Sequence, residues 1–81
     1  MIFNELFEEV HMIRLKVREI AEQKNISMTR LSRIADVNYK TVQAIFHDPH
    51  RDVAYSTLIK LAKALGVSID DLADIELEDS Q

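Results

Sequence analysis

The stretch SMTRLSRIADVNYKTVQAIFH, residues 27 to 47, decides the fold. Ser27 reads as a helix N-cap, because its hydroxyl can accept from an N–H two or three residues on. The helix it opens carries Leu31, Ile34 and Ala35 on an apolar side, with Met28 one turn before Leu31, and runs only to Ala35. Asp36, Val37 and Asn38 follow. Asp36 tolerates the left-handed backbone conformation that ends helices, and Asn38 is a second N-cap. The next helix covers Tyr39 to about His47 and offers Val42, Ile45 and Phe46 to a core.

A helix of about eight residues, a three-residue connection and a helix of about nine is a helix-turn-helix motif, with Val37 placed to plug the angle between the two helices. Upstream, Val17, Ile20 and Ala21 have helical spacing within Leu15 to Lys24, and Asn25 can close that helix. Downstream, Asp48-Pro49-His50-Arg51-Asp52 has turn composition and the only Pro. Leu58, Leu61, Ala62 and Leu65 then share one helix face, and Gly66, the only Gly, stops that helix. Ala54 leaves the start of this helix open, with Ser56 able to cap a later one, and Tyr55 reads as a core or helix-start packing residue. Ser68 caps a last short helix whose apolar side is Ile69, Leu72, Ala73 and Ile75, with Asp70 and Asp71 in its first turn.

Ahead of this unit, Ile2, Phe3, Leu6, Phe7 and Val10 repeat at helical spacing, and Asn4 can cap a turn beginning at Glu5. We expect a short helix there and an irregular or strand-like link up to Leu15. The domain division is therefore an N-terminal extension over residues 1–12, a candidate dimer contact; a helical domain over 13–75; and an acidic tail over 76–81 that frays.

Composition narrows the functions. Eighty-one residues make one domain, and the absence of Cys removes disulfides, thiolate metal sites and cysteine nucleophiles together. One Gly leaves no glycine-rich phosphate loop, and no apolar run approaches the length of a membrane span, so a soluble cytoplasmic domain is expected. His11, His47 and His50 do not make a metal site, since Pro49 interrupts the 47–50 spacing and no set of four ligands is complete; no cofactor is expected. No nucleophile is paired with a base, so the chain is not read as an enzyme.

The net charge of −4 hides a division. The first ten residues carry Glu5, Glu8 and Glu9 and no base, and residues 69–81 carry Asp70, Asp71, Asp74, Glu76, Glu78 and Asp79 and no base. All ten bases lie between, facing Glu19, Glu22, Asp36, Asp48 and Asp52, so the middle is +5 and the ends −9. Either the acidic ends only solubilise the chain, or the middle is a basic face for a polyanion.

The run IAEQKNISMTRLSRIADVNYKTVQAIFHDPHRDVAYSTLIKLAKALGVSIDDL resembles the Cro/C1-type (Xre-like) phage-repressor class of helix-turn-helix domains, over about residues 13 to 75. The most specific element is STLIKLAKALGVSIDDL. The resemblance implies an all-α, lambda-repressor-like five-helix bundle that binds double-stranded DNA as a homodimer and regulates transcription, most often as a repressor. Some members of the class are antitoxins that clasp a partner protein, which here would be a basic one. Four positions depart from the class pattern, which commonly has Gln at Met28, Ala at Ser32, Gly at Asp36 and Ser at Ala54. A thioether at Met28 cannot donate the hydrogen bond that Gln offers a phosphate.

The same resemblance places Tyr39 to His47 in the major groove, with Tyr39, Lys40, Gln43 and Ala44 as the base-reading positions. A Gln amide can pair with adenine, Lys can reach guanine, and Ala44 can pack on a thymine methyl. Thr29, Arg30, Thr41, His47, His50 and Arg51 are the candidate phosphate contacts, with Arg33 more distant. Arg30, Arg33 and Lys40 can equally be solvated charges, Tyr39 an aromatic lying over the turn, and His47 an ordinary helix-end residue. On the DNA reading, residues 24 to 51 line the nucleic-acid face, the acidic ends point away, and binding weakens steeply with salt.

Overall fold

Three of the four helix-to-helix joints are built from the same sequence of residue types: a left-handed stop, a branched apolar plug and a side-chain cap. The structure, a computed structural model, describes residues 12–76. In chain order it contains strand β1 (Met12–Leu15), helices α1 (Val17–Gln23), α2 (Met28–Ala35), α3 (Tyr39–His47), α4 (Tyr55–Leu65) and α5 (Ile69–Leu72), and strand β2 (Ala73–Glu76). The five helices form the expected lambda-repressor-like bundle, to which the strands add a short antiparallel ribbon.

At the three joints the stops are Asn25, Asp36 and Gly66, at φ 58°, 59° and 72°. Each lets the next residue turn its N–H back into the helix: Ile26 to the Ala21 oxygen at 2.8 Å, Val37 to Ser32 at 3.0 Å, Val67 to Ala62 at 3.0 Å. Ile26, Val37 and Val67 then pack, half-buried, on the core. The following residue starts the next helix. Ser27 Oγ accepts from the Arg30 N–H at 3.1 Å, Asn38 Oδ1 from Lys40 at 2.7 Å, and Ser68 Oγ from Asp71 at 3.2 Å. Stop, plug and start occupy consecutive residues, so no slack is left between helices.

The joint between α3 and α4 differs. Pro49 lies just beyond the end of α3, and the Arg51 N–H bonds the Asp48 carbonyl at 3.1 Å in the turn that follows. Ala54 has the extended backbone of an N-cap and no side chain to complete it. Ser56 is not the cap, because α4 already begins at Tyr55.

Among the described residues the core is wholly apolar, with Val17, Leu31, Val42, Ile45, Leu61, Leu65 and Leu72 fully enclosed. Two residues are more exposed than a core position would be. Ile34 is 50% exposed and Tyr55 is 68% exposed, the latter as the first residue of α4 and not as core.

The ribbon corrects the last helix. Ala73-Asp74-Ile75-Glu76 alternates apolar and polar residues, the period of a strand, and pairs with β1 in the register Leu15 to Ala73, Arg14 to Asp74, Ile13 to Ile75 and Met12 to Glu76. Helix α5 therefore ends at Leu72, and Ala73 and Ile75 belong to β2. On the other side the strand-like reading of the link is what is found, so α1 starts at Val17 and not at Leu15. Two backbone bonds fasten the ribbon to the bundle: Leu15 N–H to Pro49 O and Lys16 N–H to Leu72 O, both 2.8 Å. The short helix expected ahead of the link, with its Asn4 cap, lies outside the described residues, as do His11 and residues 77–81 of the tail, whereas Glu76 belongs to β2. Among the described residues, no helix is long and apolar enough to cross a membrane.

Candidate nucleic-acid interface

Burying Val42 and Ile45 fixes how α3 is turned. What remains outward is Tyr39, Lys40, Gln43 and His47, all exposed, with Tyr39, Gln43 and His47 one turn apart in a row. Ala44 and Thr41 are half-buried and lie at the margins of this strip. Asn38 steadies its beginning, since the cap on the Lys40 N–H holds the first turn that carries Tyr39 and Lys40.

Helix α2 contributes Thr29, Arg30 and Arg33, all exposed. The Ser27 hydroxyl takes the Arg30 N–H, so the N–H groups of Met28 and Thr29 are left at the open end of the helix. The departures from the class pattern are accommodated locally. Ser32 donates its hydroxyl to the Thr29 carbonyl at 3.0 Å, and Asp36 adopts the left-handed conformation that Gly would. Met28 turns its thioether to packing, half-buried against the core. His50 and Arg51 are exposed on the loop after α3, where Asp48 Oδ1 accepts from the His50 N–H at 3.2 Å.

Between these pieces lies an open cleft of about 370 Å³. Arg18 and Glu22 of α1 form one wall, Ile26, Ser27 and Met28 another, and Phe46 and His47 at the end of α3 the third.

The cations divide sharply. Arg14 pairs with Glu19, Lys16 with Asp74 at 3.5 Å, and Arg18 with Glu22 at 3.2 Å, so three of the four described bases before the helix-turn-helix are paired with carboxylates. Among the described residues, Lys24, Arg30, Arg33, Lys40 and Arg51 enter no ion pair. Over residues 24–51 these five bases meet two acids, Asp36 and Asp48, a surplus of three. Uncompensated cations set up the field that a polyanion feels at a distance, whereas paired ones largely cancel.

Lys60 was not singled out by sequence reasoning. Its ammonium donates to the Asp36 carbonyl at 3.4 Å and so braces the turn from α4. No local signal marks it, because the partner lies in another helix joint. Among the described residues, no group of His, Asp and Glu is arranged to hold a metal ion.

None of the curated proteins compared with the chain matches it. A family model described as the Cro/C1-type HTH DNA-binding domain matches residues 16–78, the greater part of the chain. The family is one of DNA-binding regulators and not of enzymes. With the capped helix pair, the left-handed turn at Asp36 and the glycine-stopped α4 all in place, the chain belongs to the Cro/C1-type helix-turn-helix DNA-binding domain family.

Proposed function

We propose that the protein is a sequence-specific transcriptional regulator, acting as a repressor when a homodimer occupies a palindromic operator. The observation that carries this reading is the pairing of an exposed α3 strip with the cations that no carboxylate among the described residues takes up. Tyr39, Lys40, Gln43 and Ala44 read bases in the major groove. Thr29, Arg30, Thr41, His47, His50 and Arg51 hold phosphates, aided by the N–H groups at the start of α2. A single α3 spans only a few base pairs, so two copies related by a twofold axis, about 34 Å apart, are needed for a site of useful length. Occupancy of such a site excludes polymerase.

Selection of bound sequences from a random DNA pool tests this directly. The expected product is an inverted repeat whose half-sites are centred about one helical turn apart. Enrichment of no sequence, together with a Lys40→Ala/Gln43→Ala double variant that binds as the parent does, overturns the operator reading. Co-purification of a basic protein in its place would favour the antitoxin branch of the family.

A further inference from the structure

His47 ends α3 and lines the cleft beside the open end of α2. Its Nδ1 lies 2.9 Å from the Gln43 carbonyl oxygen. A carbonyl oxygen only accepts, so Nδ1 carries the proton in this contact, and a neutral ring keeps a bare lone pair on Nε2. Phosphate oxygens are acceptors too. A neutral His47 therefore has nothing to offer a phosphate through Nε2, and a second proton supplies a donor and a positive charge in one step.

We propose that His47 is a proton-dependent phosphate ligand, so that the protein grips duplex DNA more tightly when a second proton is on its ring. This rests on the DNA reading above. The surroundings leave the ring's charge to act outward. From α1, Arg18 and Glu22 face the same cleft but are paired with each other at 3.2 Å. The joint before α2 contributes Ile26, Ser27 and Met28, none of which titrates. On its own segment Asp48 follows, and one of its oxygens accepts the His50 N–H. A phosphate entering here meets the start of α2, at Ser27 and Met28, from one side and the imidazolium from the other.

The test is binding of a mixed-sequence duplex of about 30 base pairs, followed by fluorescence anisotropy over a salt series at about pH 8 and about pH 5.5. The parent should bind about three to ten times more tightly at the lower pH, with a log–log salt slope steeper by about one. His47→Gln should remove most of that gain, and His47→Arg should bind tightly at both values. Because His47 is exposed, the Gln variant should keep the parent's unfolding midpoint, which verifies the fold. An equal pH response in the parent and His47→Gln overturns the proposal alone. Absence of binding by the parent at either pH, even at low salt, overturns the DNA reading and this inference with it.

Discussion

The Lys60 ammonium reaches the backbone carbonyl of Asp36 at 3.4 Å, joining α4 to the turn between α2 and α3. The bond is long and exposed, so Lys60→Met should lower stability by no more than about 0.5 kcal/mol. The conformation of Asp36 matters more. A left-handed residue with a Cβ carries strain that Gly lacks, and Asp36→Gly should stabilise by about 0.5–1 kcal/mol. Asp36→Val should destabilise by more than about 1 kcal/mol, read from urea unfolding midpoints.

Helix α4 lacks the side-chain cap that α2, α3 and α5 possess. Ala54 already has cap-like dihedrals, φ −61° and ψ 144°, so Ala54→Ser should stabilise by about 0.5–1 kcal/mol. Ser27→Ala should cost about 1 kcal/mol, since its bond to the Arg30 N–H would be lost. A thermal melt in which the two substitutions shift the midpoint the same way would contradict this account of the joints.

Leu61 and Ile34 separate real core from apparent core. Leu61 is fully enclosed, and Leu61→Ala should cost about 2–5 kcal/mol. Ile34 is half exposed, so Ile34→Ala should cost less than about 1.5 kcal/mol by chemical denaturation.

Base-reading and phosphate-holding residues should fail in different ways. Gln43→Ala should cost about 1–3 kcal/mol on the preferred sequence and relax specificity at one position. Arg30→Ala and Arg51→Ala should weaken all duplexes alike and each lower the salt slope by about one. Competition binding against single-base variants of the selected site, over a salt series, distinguishes the two patterns.

Most of the fold was legible because its joints are local. Asn25, Asp36 and Gly66 are residue types that accept a positive φ, and Ser27, Asn38 and Ser68 are cap types, so each boundary can be read within a few residues. The outward strip of α3 follows from helical periodicity once Val42 and Ile45 are turned inward. The ribbon was only half legible. Ile69, Leu72 and Ala73 also satisfy helical spacing, which masked the two-residue alternation that begins at Ala73. The exposure of Ile34 and Tyr55, the Lys60 brace and the cleft beside His47 depend on which helices meet, and neighbouring residues carry no trace of that.

The register of the ribbon has a kinetic consequence. The helix joints close over a few residues, but Leu15 meets Ala73 only after almost the whole described chain has been brought round. Loop closure of that span is unfavourable until α1 to α5 are in place, and the two strands are only four residues long. The ribbon should therefore zip last and open first. Its amides should exchange with solvent faster than those of Leu31 or Leu61, with the helix-turn-helix still intact while β1 and β2 part.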